Sequence, residues 1–577
     1  MRAQFRFRIR LIFLGIIAIA LLIVVRLYFV QIVHGDDYAL KADRQFTSSA
    51  GGLFDRGSIY FTRKDGTLIS AATLETGFLV ALNPQTLTNA DTAYAAIQKV
   101  ASTSVDRETF FAASRKTNQV YIEVAHHLSD AAGHALATQK IPGIQVLRER
   151  WRSYPGDTLA SQAVGIVSFG STDTLSGRTG LEAYYEATLS RTGDAAYKNF
   201  FATLFSNAGD FLVDAKNARE GNVVTTIEPA VETRLASDLA AVQAKYHSKE
   251  TGGIIMDPAT GAIIALGSVP TYDSNDLSSV RPSVLGNPLV EHVYEFGSIM
   301  KPLTMASGLD AGAITTNSTY KDTGCITVDT YTICNFDLKA RGTATMQQIL
   351  SQSLNLGVAW IATQLGQEKF RTYFTSLFGQ KTGIDLPSET GGLLGNLSKP
   401  QQIGYDTAAF GQGIAITPVQ MVRALSALAN GGAMTNPHLV SAIKLDSGVT
   451  RAIEAKDSVP VFSSRATEEV STMLTYVVDH DLAHGKDTIP SMSVAAKTGT
   501  AQLTKPGGGY YKDRYFHSFF GYFPSYAPRF IILLYTNDPQ GVQYASETLT
   551  STFMDLTQFL IEYYHVPPDR AVTSTNP

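Results

Sequence analysis

Ser298-Ile299-Met300-Lys301 sets a hydroxyl and an amine one helical turn apart. Further along, Ser353-Leu354-Asn355 supplies another hydroxyl and an amide. Lys497-Thr498-Gly499-Thr500 supplies a second lysine, two hydroxyls and a glycine that permits close approach of backbone and substrate. A serine hydroxyl is a weak nucleophile and needs a base within hydrogen-bond reach. A lysine is a base only when neutral. Burial and a second cation both push its pKa down, and Lys497 is the candidate cation for Lys301. Ser298 follows Gly297 at an expected helix start, where free N–H groups can stabilise an oxyanion. Pro302 falls in the first turn, where a missing N–H costs least. Thr500 is the candidate for a second oxyanion N–H. Thr498 and Thr500, with Lys497, are candidates to grip a substrate carboxylate. The chemistry of the set is acyl transfer through serine.

Each motif alone has a plain alternative. Ser-x-x-Lys arises by chance about once or twice in a chain of this length, usually as a helix start with a solvated lysine. Ser-x-Asn reads equally well as a turn or cap, and Lys-Thr-Gly as a strand end. The ordered triplet is much harder to obtain by accident.

The remaining composition narrows the classes. The 577 residues should hold more than one domain. Hydrophobic content of 44% and charged content of 17% are those of a globular protein, and a net charge of -4 with interspersed signs gives no nucleic-acid footprint. His480 and His484 lack the glutamate of a zinc-protease motif, and no Cys-x-x-Cys occurs, so neither a metal nor a cofactor is expected.

Arg2, Arg6, Arg8 and Arg10 precede an uncharged apolar run from Leu11 to Val25, and apolar character resumes after Arg26 through Val33. The uncharged run would span about 22 Å as a helix, against a hydrocarbon core of ~30 Å. Snorkelling arginines and the residues after Arg26 make up the difference. The positive flank places the N-terminus in the cytoplasm. Ala18-Ile19-Ala20 lies inside the apolar run, a poor context for signal cleavage. The expectation is a cytoplasmic tail at 1–10, an uncleaved transmembrane signal anchor at 11–33, and everything beyond outside the cytoplasm.

Residues 34–220 mix short strand-like and helical stretches without an acid/base constellation, as in a non-catalytic module. Thr76–Ala81 reads as a buried strand, Asp91–Val100 and Ser129–Gln139 as helices. A second unit, 221–566, begins near Val223–Ile227. Two apolar runs around Asp257-Pro-Ala-Thr-Gly261 predict a hairpin of an antiparallel sheet. Helical character dominates from Met300 to Leu428. Strand character returns at Val494–Ala496, Ser518–Phe523 and Phe530–Tyr535, and Leu549–Tyr564 is apolar at helical spacing. The pattern predicts an α+β domain. A polar tail at 567–577 follows.

Cys325 and Cys334 flank a run that is symmetric in character about Asp329-Thr330. A two-residue turn there would set the cysteines opposite each other, and an oxidising compartment permits a disulfide. Asp-Thr is a poor type I′ turn, and two free core thiols are the open alternative.

At this point the chain resembles the class B penicillin-binding proteins, the D,D-transpeptidases of peptidoglycan synthesis. Besides the three motifs, Asp55-Arg-Gly-Ser-Ile59, Arg152-Ser-Tyr-Pro155 and Gly177-Arg-Thr-Gly-Leu-Glu182 resemble the family's pedestal, or dimerisation-type, module. Gly411-Gln-Gly413, Thr417-Pro-Val-Gln420 and Phe519-Phe-Gly-Tyr-Phe-Pro524 resemble its transpeptidase domain, which has a β-lactamase-like fold of antiparallel sheet and helical subdomain. Phe296 stands where the family usually has proline. The resemblance implies that Ser298 attacks the bond between the last two D-alanines of a stem peptide and Lys301 takes its proton. Ser353 and Asn355 would relay a proton to the leaving amine and orient the donor stem, Lys497 and Thr498 would bind the terminal carboxylate, and Gly499 and Thr500 would join Thr498 as substrate-binding residues. A neighbouring stem's amine would then take the acyl group. β-Lactams would acylate Ser298. Implied partners are peptidoglycan stem peptides on lipid-linked nascent glycan, a polytopic membrane glycosyltransferase of SEDS type, and divisome or elongation proteins. The compact chain leans to septation. Water as acceptor, in a carboxypeptidase or β-lactamase, is the rival enzyme reading. An idle scaffold or β-lactam sensor is the rival from another class.

Overall fold

The computed structural model describes residues 55–100, 105–169, 175–191, 219–454 and 456–571. The expected cytoplasmic tail and signal anchor lie outside the described residues, as does the tail beyond 571. Among the described residues no helix is long and apolar enough to cross a membrane.

The described chain forms two compact units, each with its own core. One comprises Asp55 and Leu74–Arg152, the other Arg56–Thr73 and the residues from Ser153 onward. In the first, strand Leu68–Leu82 contributes its second half, pairing antiparallel with Ile122–Leu128. Phe78 and Val80 of that strand pack with Ile97 of helix Ala90–Val100, Phe110 of Arg107–Ser114 and Leu136 of Asp130–Ala137. The strand is longer than Thr76–Ala81, since its first residues, Leu68 to Ala72, pair with Ile59–Thr62 within the second unit.

The second unit is built on a five-stranded antiparallel sheet in the order Ala495–Thr504, Tyr510–Phe523, Phe530–Asn537, Glu250–Met256, Ile263–Val269. Side chains alternate between two buried faces, as a strand's period of two requires. Phe519, Phe523, Ile532 and Ile255 pack beneath helices Pro229–Tyr246 and Ala545–Tyr564. Phe520, Tyr522, Ile531 and Ile254 face the helical region with Ile299 and Leu303. The hairpin around Asp257 forms, with Ala259 N donating to Asp257 Oδ1 at 2.8 Å. Strand Gly221–Thr225 does not join this sheet. It pairs parallel to Ile59–Thr62 and antiparallel to Val440–Leu445.

The helical region is interrupted by two antiparallel ribbons. Thr319–Asp322 pairs with Gly342–Thr345, and between them Cys325–Val328 pairs with Tyr331–Cys334. Cys325 stands opposite Cys334 and the two are joined as a disulfide. The tip residues Asp329 and Thr330 have φ of 46° and 78°, the left-handed pair of a type I′ turn. Ile403 N donates to Asp329 Oδ2 at 2.9 Å and pins this otherwise unfavourable tip.

Candidate active site

Ser298 sits in a 3-10 turn, Gly297–Met300, that runs into helix Lys301–Asp310. Lys301 N donates to Ser298 O, and the serine is partly exposed between buried neighbours. The turn is clamped from three sides. Gly297 N donates to Gly411 O at 3.0 Å. Ser518 Oγ donates to Phe296 O at 2.8 Å. The Phe296 ring is buried edge-on against Phe516, with centroids 5.3 Å apart, so phenylalanine anchors the approach to the turn through its ring. A Cβ on Gly499 would come within 2.6 Å of Phe296 O and 2.4 Å of Ser518 Oγ. Only glycine lets the third motif pass this close to the first.

Lys301 has 0% exposure, and its Nζ reaches Ser353 O at 2.5 Å, Asn355 Oδ1 at 2.8 Å and Ser353 Oγ at 3.2 Å. Burial, and secondarily the Lys497 cation, hold its pKa well below the ordinary lysine value. Ser353 has φ of 52°, a left-handed conformation rare for a non-glycine residue, in the link between helices Met346–Ser351 and Asn355–Leu365. That conformation turns both its carbonyl and its hydroxyl onto Lys301. Asn355 Nδ2 donates to Cys334 O at 2.9 Å, leaving Oδ1 for the lysine.

Lys497, Thr498, Gly499 and Thr500 lie on the sheet's edge strand. Lys497 is buried, and burial lowers its pKa to about 8 against the opposing pull of the Asp481 carboxylate. Its Nζ donates to Thr498 O at 3.2 Å. Thr500 Oγ1 accepts from Ala545 N at 3.0 Å, tying the edge strand to the start of the last helix.

These groups share one cleft of about 1550 Å³, lined by Ser298, Ser353, Asn355, Lys497, Thr498 and Thr500. Lys301 and Gly499 are not on its surface and support those that are. The lining includes residues the sequence reading did not single out. Tyr331, Phe336 and Leu338 project from the cysteine ribbon and the segment after it, and Phe336 meets Tyr544 edge-on at 6.0 Å. Arg341 and Asp481 add charge of both signs. Below the cleft Glu295 Oε1 accepts from Gly413 N at 3.0 Å and Tyr510 OH at 3.2 Å, and burial pushes its carboxyl up to about 7. No periodicity connects these positions, so only the fold assembles them. Chemically, the cleft presents a hydroxyl beside a buried lysine of low pKa, with a second, largely buried lysine on the edge strand that lines it. That set suits attack on an acyl carbon of a substrate bearing a carboxylate.

Comparison with known proteins agrees in class. Residues 251–558 match the penicillin binding protein transpeptidase domain, and residues 55–200 the penicillin-binding protein dimerisation domain. Stage V sporulation protein D of Bacillus subtilis is 27% identical over 544 residues, covering 92% of this chain and 82% of that protein. Peptidoglycan D,D-transpeptidase FtsI of Escherichia coli is 24% identical over 458 residues, 78% of this chain and 74% of its own. The crystal structure of penicillin binding protein 2X from Streptococcus thermophilus superposes with a TM-score of 0.70 at 20% identity, covering 88% of this chain and 80% of that one. The ampicillin complex of penicillin binding protein 3 from Mycobacterium tuberculosis gives 0.68 at 20% identity, over 91% and 98%. The chain belongs to the penicillin-binding proteins, as a class B peptidoglycan D,D-transpeptidase.

Proposed function

We propose that Ser298 is the acylated nucleophile and Lys301 its base, in cross-linking of stem peptides. The observation that carries this is the burial of Lys301 against Ser353 and Asn355, with its pKa depressed. Neutral Lys301 takes the Ser298 proton as Oγ attacks the penultimate D-alanine carbonyl. The amides of Ser298 and Thr500 receive the oxyanion. The proton passes by way of Ser353 to the departing D-alanine amine, and an acyl-serine ester remains. Lys497 and Thr498 hold the donor's carboxylate, with Gly499 and Thr500 shaping the strand edge. An amine of a second stem attacks the ester, losing one proton to Ser298 through Lys301, and restores the free enzyme. A β-lactam enters as the donor does and stops at the ester.

The chain is proposed to act from the outer face of the cytoplasmic membrane, anchored by residues 11–33, on lipid-linked nascent glycan made by a SEDS-type glycosyltransferase. The support is the arginine-flanked apolar run of the sequence. Ser298→Ala should abolish labelling by a fluorescent penicillin while the protein remains folded. Mass spectrometry should find the adduct on Ser298 of the parent, and an adduct elsewhere would end the assignment. Septal work is tested by depletion: filaments would support it, and rounded cells would assign the protein to elongation.

A further inference from the structure

We propose that Asp322 and Asn335 are positioning residues for acyl transfer, holding the Asn355 amide and the start of its helix from the neighbouring ribbons. The inference rests on the assignment of Ser298 and Lys301 above.

The helix Asn355–Leu365 begins without a cap of its own, because Leu354 has no side-chain acceptor. Its orphan N–H at Leu356 is taken by Asn335 Oδ1 at 3.2 Å. The adjacent residue, Cys334, gives its carbonyl to Asn355 Nδ2 at 2.9 Å. Two consecutive residues of one strand end therefore fix both the backbone and the side chain of the Asn355 turn. A carbonyl oxygen can only accept, so Cys334 selects the NH₂ of Asn355 and directs its Oδ1 to Lys301 Nζ. Asp322 does the same for Asn335. Its two oxygens lie 2.9 and 3.0 Å from Asn335 Nδ2, and as a carboxylate they only accept. That leaves Asn335 Oδ1 for the helix.

Asp322 is itself immobilised. Gly324 N donates to it at 3.3 Å and Arg341 N at 2.9 Å, and both Asp322 and Asn335 are 1% exposed. The Arg341 guanidinium is engaged elsewhere, with Asp337 and Gln352. Asp322 thus meets the cleft wall through the Asn335 amide and the Arg341 main chain, and of these only the Asn335 amide leads on to the Asn355 helix. The line runs from Asp322 through Asn335 and its neighbour Cys334 to Asn355 and the base. Misplacing a reacting group by an ångström can slow a reaction about a hundredfold, so this support bears on rate as well as stability.

The test is a double-mutant cycle on the full chain, reading the saturating acylation rate by a fluorescent penicillin and the concentration that half-saturates it. Asn335→Ala and Asp322→Asn should each lower the saturating rate about tenfold to a hundredfold, with half-saturation shifted less than about threefold. In an Asn355→Ala background the same substitutions should add less than about threefold, because their effect travels through that amide. Losses that multiply in that background would overturn the proposal, as would single variants that acylate within about threefold of the parent. Should Asn335→Ala fail to fold, Asp322→Asn keeps the test, since it retains the Asn335 side chain. Failure of both to fold would also overturn it, the pair then serving the fold and not the amide. Labelling of Ser298→Ala would instead strike the nucleophile assignment alone.

Discussion

Lys301 Nζ and Asn355 Oδ1 stand 2.8 Å apart, and the other end of the same amide is held by Cys334 O. The amide cannot turn without losing both partners. Asn355→Asp would set one carboxylate oxygen beside the lysine and the other against the Cys334 carbonyl. The new charge raises the Lys301 pKa, so less neutral base is present at pH 7. Acylation by penicillin should fall about a hundredfold there and recover in part as pH rises. Asn355→Ala should lose rate without moving the acid limb so far up. Identical acid limbs in the two variants would show that this contact does not set the base.

Two lysines with lowered pKa values should give a bell-shaped pH profile. Activity rises as Lys301 loses its proton, and falls as pH passes about 8, where Lys497 becomes neutral and releases the substrate carboxylate. Removing Lys497 also lifts its repulsion from Lys301, so Lys497→Met should move the acid limb upward. For stability the sign is opposite to the usual ion pair. Lys497 binds its proton less well folded than unfolded, so stability should rise with pH between about 8 and 10.5. A shift from 10.5 to about 8 corresponds to on the order of 3 kcal/mol disfavouring the fold at neutral pH. Lys497→Met should therefore be strongly impaired yet more stable at pH 7, its acid limb read from the residual acylation rate and its stability from denaturant midpoints. A less stable variant would mean that the cation is already compensated.

The periodic parts of this fold are legible in its sequence. Strands at Ser518–Phe523 and Phe530–Tyr535 are apolar on both faces, and both appear. The extension back to Tyr510 is not legible, because Lys512 and Asp513 are exposed and lie where the register shifts, between the Gln502–Tyr515 and Thr504–Tyr510 pairs that carry the strand on. Gly221–Thr225 marks the start of the second unit, but its partners, Ile59–Thr62 and Val440–Leu445, are distant in sequence and are not legible from it. At the site, the three motifs are legible by residue type, and the fold brings Ser298, Ser353, Asn355 and Lys497 into one cleft. Nothing in spacing relates Asp322 or Asn335 to Asn355, or Phe336 to Tyr544, since those pairs are made by chain reversals and not by repeats.

Arg56 and Glu182 form a buried pair within the larger unit. Arg56 Nε meets Glu182 Oε2 at 2.6 Å, and its Nη2 meets Glu186 Oε2 at 2.7 Å. Arg56→Ala leaves the Glu182 carboxylate, at 0% exposure, without its guanidinium and should destabilise by about 3–5 kcal/mol. The pair lies outside the cleft lining, so the fraction that folds should acylate at the parent rate. A folded Arg56→Ala protein with slowed acylation would show that this pair reaches the chemistry.

The disulfide makes the last prediction. Cys325 and Cys334 close a short loop, nine residues apart in sequence, for which the chain-entropy relation gives about 2–3 kcal/mol. The ribbon has other holds: Asn335 on Asp322 at one end and Ile403 on Asp329 at the tip. Cys325→Ser removes the cross-link but leaves the Cys334 carbonyl, the group that touches Asn355. The variant should melt a few degrees lower and acylate within about threefold of the parent. Cys334→Ser should behave alike, since serine presents the same carbonyl. A large loss of acylation in both variants, at unchanged folding, would mean that the cross-link itself fixes the position of that carbonyl. Free-thiol counting on denatured, unreduced protein should find none, and two reactive thiols would show the ribbon standing without its bond.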